Sequence, residues 1–170
     1  KFSNPCTAAD CIEGQLPPHL AGGPPPAGTC PTFWAAADSG YDDSPHAGDG
    51  YRNHTLCVDW SNLSNSSYAE GVFVAAGSNF DRNLGNGFSD CISPVNGGEQ
   101  LDCLAAFTMY RIQYRWFGSH ASILLNTTVD AGSERAGIRW AEAQSADGDS
   151  GWALAQDGTY APTDGIERWM

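Results

Sequence analysis

The residues best able to do chemistry are three strand arginines, Arg111, Arg115 and Arg139, and a spaced set of carboxylates. Arg111 and Arg115 stand four apart in "MYRIQYRWF", residues 109–117. Alternate positions of an extended strand share a face, so both guanidiniums project from the same side. That arrangement suits gripping a substrate carboxylate through paired N–H donors. Asp59, Asp81, Asp102, Asp130 and Glu142 are the acids from which a pair can be drawn. Hydrolysis of a glycosidic bond takes two carboxyl groups about 5–9.5 Å apart. The competing explanation is structural, because strand arginines commonly lay their stems along the surface or pair with acids on neighbouring strands. Other catalytic patterns are missing. There is no Gly-x-Ser-x-Gly elbow, and "NLGNG" lacks the Lys-Ser/Thr ending of a phosphate loop. His19, His46, His54 and His120 have no ligand spacing, so no metal site is assigned. "DSGYDD" and "DGDSG" are acidic enough for weakly bound calcium, although the full EF-hand loop pattern is absent. No residue is assigned a catalytic role.

Aromatic side chains are the second resource. Trp116 and Trp140 fall on inward positions of alternating strands and are expected in the core. Trp34, Tyr41 and Tyr51 fall in segments that read as loop. Together with Arg111 and Arg115 they are the candidate binding residues, able to stack on sugars or on a partner.

Cysteines and sequons concern the compartment. Six cysteines, at 6, 11, 30, 57, 91 and 103, make an even set, and disulfides persist in oxidising surroundings. Cys91 and Cys103 bracket a polar Gly-Gly loop and form the first expected pair. Cys6 with Cys11 makes a small loop, and Cys30 with Cys57 follows by elimination. Four acceptor sequences for N-linked sugar begin at Asn53, Asn62, Asn65 and Asn126. Ordinary polar residues that never carry sugar account for the same pattern. Both features point to an extracellular or cell-surface protein carrying N-linked glycans.

The charge narrows the partners. The formal net charge is −12 and Lys1 is the only lysine, so the surface repels nucleic acid and anionic membranes. No apolar run approaches the ~18 residues of a membrane span. The chain begins at Lys1, as a processed or partial chain would, and "GIERWM" reads as the start of another strand, so a longer protein is expected.

The elements that must position these residues divide the chain in two. Residues 1–50 are an irregular, extended Pro/Gly-rich arm held by disulfides, because "LPPHLAGGPPPAGTCP" allows neither a helix nor a central strand. Residues 51–170 form an antiparallel β domain. "HTLCVDW" and "EGVFVAA" read as strands. "AAFTMYRIQYRWF" is a long strand with Tyr110, Ile112, Tyr114 and Trp116 on one face. "SILLNTTVD" pairs with it across "GSH", with Ile123, Leu125, Thr127 and Val129 on the apolar face and Asn126 on the other. "AGIRWAEAQ", with Ile138 and Trp140 inward, and "GWALAQDGTYAP" complete a four-stranded meander. A meander of about 50 residues is the size of one propeller blade.

The ordered pieces "DWSN", "MYRIQYRWFGSHASILLNTTVD", "AGIRWAEAQ", "GWALAQDGTYAP" and "RWM" resemble a recurrent segment of large secreted bacterial proteins of β-propeller type, over residues 55–170. "SADGDSGW" (145–152) resembles the Asp-box of sialidase-like propellers, through Ser145, Asp147 and Trp152. That motif is a structural turn away from the active site. The resemblance implies an incomplete propeller and secretion; the cysteines and the Pro-rich start depart from it. The expected fold class is therefore all-β. The expected role is an extracellular structural or adhesive glycoprotein module: a building block of a surface layer or appendage, contacting copies of itself or other surface proteins, or a glycan binder. The alternative is a sialidase-like carbohydrate-active enzyme.

Overall fold

The computed structural model describes residues 19–20, 25–40, 47–85, 91–94, 96–105, 107–109 and 111–169. Cys6, Cys11, Tyr41 and His46, with the expected Cys6–Cys11 loop, lie outside them. The described chain is all-β, with one single-turn 3-10 helix at Leu63–Asn65. The strands are β1 (His19–Leu20), β2 (Thr32–Ala37), β3 (Gly50–Cys57), β4 (Ser67–Glu70), β5 (Val74–Ala75), β6 (Gln113–Trp116), β7 (Ala121–Asp130), β8 (Ala136–Ser145) and β9 (Ala153–Tyr160).

Two sheets result. The larger has the order β1-β6-β7-β8-β9, and the smaller runs β2-β3-β4, with β5 also pairing with β3. The expected meander is present: β6, β7, β8 and β9 are successive antiparallel neighbours. β1 adds a short parallel pairing to β6. Both sheets are open paths, and they share one core instead of standing as a lone blade. Trp34, Tyr51 and Val74 come from the smaller sheet and meet Tyr114, Ile123, Leu125, Ala141 and Ala143 of the larger. Trp152 plugs the middle, edge-on to Trp34 at 5.2 Å and to Tyr114 at 6.4 Å. Each such large side chain contributes about 1.5–3 kcal/mol on burial.

The sequence explains these pairings locally. β7 is rich in β-branched residues, which suit a pleated surface, and Ile123, Leu125, Thr127 and Val129 are all buried, on the face expected for them. The β6–β7 turn closes with Phe117 N–H donating to the His120 carbonyl, and Gly118 there has φ +86°, open to glycine at no cost. β6 is shorter than its alternation suggests. Gln113 pairs with Leu124, but Thr108 already bridges Thr127, so five steps on one strand answer three on the other and a bulge interrupts the ladder.

The disulfides are Cys30–Cys57 and Cys91–Cys103, the two described pairs expected. The first joins the chain just before β2 to the end of β3. The second closes a loop whose core includes Leu84, Ile92, Ala105 and Ala136.

Three placements differ from expectation. Residues 32–37, within the expected arm, form a core strand; "TFWAAA" carries small residues that let β2 lie close against the larger sheet. Trp34 and Tyr51 are therefore fully buried on β2 and β3, where they cannot contact a partner. On β8 the buried face is Arg139, Ala141 and Ala143, while Ile138 and Trp140 face outward and are half-buried. The physical reason is Arg139. Its guanidinium is anchored inside by Asp157, by Tyr51 Oη at 3.2 Å and by Ser78 Oγ at 3.1 Å, and lies over Phe80 at 5.3 Å. Trp140 instead covers Gly158 on the outer face, where a Cβ on Gly158 would sit 3.3 Å from its ring.

Candidate functional site

The outer face of the larger sheet gathers a connected set of polar groups. β7 presents Ser122 outward, and β8 presents Glu142 and Gln144. β9 brings Gln156 into register opposite Glu142. Glu142 is the hub. Its carboxylate accepts from Ser122 Oγ at 2.6 Å, Gln144 Nε2 at 3.0 Å and Gln156 Nε2 at 2.8 Å. These bonds, from Ser122 and then Gln144, hold the carboxyl below its ordinary range, with a smaller contribution from the nearby His120. The glutamate is thus fixed as an ionised acceptor whose neighbours are oriented by it.

Beside the hub stands a stack. Arg115 pairs across the ladder with Ser122. Its guanidinium lies over the Phe117 ring at 4.9 Å. Phe117 in turn stacks on His120 at 5.0 Å between centroids. Phe117 is half exposed, and Trp140 flanks the hub on β8. The face therefore offers a planar cation, planar amides and a carboxylate on strands, with aromatic surface from Phe117 and His120 in the β6–β7 turn.

Arg115 belongs to the cluster. Arg111 is exposed, just before β6 begins. Glu142 is the only carboxylate of the cluster. Asp81 and Asp130 meet elsewhere, as partners of a β-bridge. They line a cleft of 540 Å³ with Asp38, Asp49, Asn79 and Asn83. Asp49 there is spent on structure, accepting from Ser39 N, Ser39 Oγ and Phe80 N. Burial raises the Asp38 carboxyl, which accepts from Arg82 N and Gly40 N. Asp59 and Asp102 cap local turns. Among the described residues no group of three or more His, Cys, Asp or Glu is arranged to hold a metal ion.

"SADGDSGW" forms the β8–β9 turn. Asp147 accepts from Ser145 Oγ at 2.7 Å and Ser150 N at 2.9 Å, and Gly148 N donates to Ser145 Oγ at 3.0 Å. Trp152 is buried beneath it. Asp147 thus holds the turn together, while Asp149 accepts from Cys30 N at 2.9 Å.

The four sequons separate by environment. Asn53 is 1% exposed and donates through Nδ2 to the Val72 carbonyl at 2.6 Å, which leaves no room for a sugar. Asn126 faces outward as expected, but is half-buried with a buried Oδ1. Asn62 and Asn65 are exposed around the 3-10 turn.

No family model, no curated protein and no solved structure matches the chain. Sequence reasoning named Arg115 and Glu142 but missed Ser122, Gln144 and Gln156. Polar residues on alternate strand positions look alike until register shows that three of them converge on one carboxylate.

Proposed function

We propose that this chain is an extracellular adhesive module that binds carbohydrate on the outer face of its larger sheet. The observation that carries the reading is the convergence of Ser122, Gln144 and Gln156 on Glu142 beside the Arg115–Phe117–His120 stack. Sugars present hydroxyls that both donate and accept, and C–H faces that pack on aromatic rings. A fixed carboxylate flanked by amides and rings meets both demands. An extracellular location is supported by Cys30–Cys57 and Cys91–Cys103. No described helix is long and apolar enough to cross a membrane. In a longer protein of propeller type, β6–β9 would serve as one blade.

The lone Glu142 favours binding over sialidase-like hydrolysis, which uses a carboxylate pair. A structural role is favoured by one further observation. β9 is the last strand of the larger sheet, and such an edge can pair with a second copy. Titration of the oxidised chain with soluble neutral and sialylated oligosaccharides tests the main reading. Saturable binding weakened about tenfold by Glu142→Gln is expected, since one hydrogen bond to a charged group contributes about 1.5–3 kcal/mol. Binding unchanged by that substitution would remove the outer face from consideration.

A further inference from the structure

The turn from Asp59 to Ser66 has no part in the sheet face, yet it is built with care. The Asp59 carboxylate accepts from Ser61 N at 2.9 Å, Ser61 Oγ at 2.6 Å and Asn62 N at 3.0 Å, and from Asn65 Nδ2 at 3.0 Å. Asp59 N–H donates to Ser66 Oγ at 3.0 Å, closing the loop. Asn62 caps the 3-10 turn through Oδ1, which accepts from Ser64 N at 3.2 Å. Its Nδ2 has no acceptor among the described residues. At the tip, Trp60 is 85% exposed and Leu63 66% exposed. A tryptophan this open on a hydrogen-bonded turn exposes a large apolar area that the fold does not use.

We infer that Asn62 is an N-glycan acceptor site and that Trp60 is the platform for the first sugar. The reading rests on the extracellular placement proposed above. Trp60, Asn62 and Ser64 alternate as aromatic, acceptor and hydroxyl residue in "WSNLS". In the modification the Asn62 Nδ2 displaces a lipid-linked pyrophosphate from C1 of an N-acetylhexosamine. The N–C1 bond forms as the C1–O bond to phosphate breaks, and Nδ2 loses one proton. The Oδ1 cap survives this chemistry because Nδ2 alone is substituted. A sugar at Asn62 projects from the tip, where the indole two residues earlier can pack against its C–H face and cover the apolar area.

The other sequons fit less well. Asn53 is enclosed, as described above. Gly71 approaches it so closely that a Cβ there would overlap its side chain. Asn65 holds Asp59 with its Nδ2, and the residue two before it is Leu63, which lacks an aromatic face. Asn126 is half-buried beside Trp140 in the sheet. Sugar is attached before folding is complete, so the fold must then house whatever has been added. The turn at Asn62 alone combines open space, a free Nδ2 and an exposed ring.

The test is secretion of the full chain from a eukaryotic host, enzymatic release of N-glycans in ¹⁸O-water and peptide mass spectrometry. The label is expected on Asn62 and not on Asn53. Absence of label on Asn62 overturns the assignment, whether or not Asn65 or Asn126 is labelled. The platform role is read from a cycle of Trp60→Ala and Ser64→Ala, which removes the sequon hydroxyl but keeps the Asn62 cap, since Trp60 is too exposed for its loss to unfold the chain. Glycosylated protein should melt roughly 2–4 °C above the Ser64→Ala variant, and that gap should close by half or more when Trp60 is replaced. A gap indifferent to Trp60 overturns the platform. Disulfide mapping in the same digest separates the two readings. Free thiols at Cys30 and Cys57 count against the extracellular placement, whereas intact disulfides with bare Asn62 count against the glycan site alone.

Discussion

Replacing Asp157 with asparagine probes a buried ion pair between β8 and β9 that also holds Tyr51 of the smaller sheet. Arg139 is 3% exposed and Asp157 9% exposed. Besides Asp157, the guanidinium is held by Tyr51 Oη, by Ser78 Oγ and carbonyl, and by Thr159 Oγ1 at 3.4 Å. Asp157 also accepts from Gly77 N at 2.9 Å. Asparagine keeps the volume and one acceptor oxygen but removes the negative charge, leaving a buried cation with neutral partners. Removing one partner of such a pair costs about 3–5 kcal/mol. The four remaining oxygen contacts of the guanidinium soften the loss, so about 3 kcal/mol is expected. For a chain of this length that lowers Tm by about 6–12 °C. Urea unfolding with the disulfides intact, followed by the fluorescence of buried Trp34 and Trp152, gives the value. The midpoint should fall while the slope stays constant. Replacing Arg139 and Asp157 together with methionine and leucine should recover part of the loss, because the unpaired charge is gone. A cost below about 1 kcal/mol for Asp157→Asn would refute the reasoning, since it would mean that water reaches the pair.

Alkaline titration gives a second prediction. Burial pushes the Tyr51 hydroxyl from 10.0 up to about 12, so the folded state keeps a proton that the unfolded chain releases. Stability should be complete below about pH 10 and decline towards pH 12. Denaturation midpoints across that range should show this slope, and Tyr51→Phe should remove it. Replacing Cys91 and Cys103 together with alanine should cost about 3 kcal/mol, as loop-closure entropy for a separation of 12 residues implies. The same unfolding assay reads it.

Much of the fold was legible from alternation and turn residues. The order β6-β7-β8-β9 and the apolar face of β7 follow from period-two patterning, and Cys91–Cys103 from the polar loop it brackets, whereas Cys30–Cys57 follows only by elimination. β2 was not legible, because Ala35, Ala36 and Ala37 carry little strand propensity and only the approach of the larger sheet makes small residues useful there. β8 was misread for an instructive reason. Tryptophan and isoleucine outweigh arginine and alanine on any hydrophobicity scale, yet Arg139 is inward because Asp157 and Tyr51 await it. Such compensation is set by residues 18 and 88 positions away, beyond the reach of local pattern. The outer-face cluster needed register as well. Its members are ordinary polar strand residues until Gln156 falls opposite Glu142.

The most direct test of carbohydrate binding is amide NMR of the oxidised, isotope-labelled chain during titration with neutral and sialylated oligosaccharides. Saturable shifts are expected at Arg115, Phe117, Ser122, Glu142, Gln144 and Gln156, and should be lost in Glu142→Gln. Shifts confined to the Asp81–Asp130 cleft, or none at millimolar sugar, would contradict binding at this face.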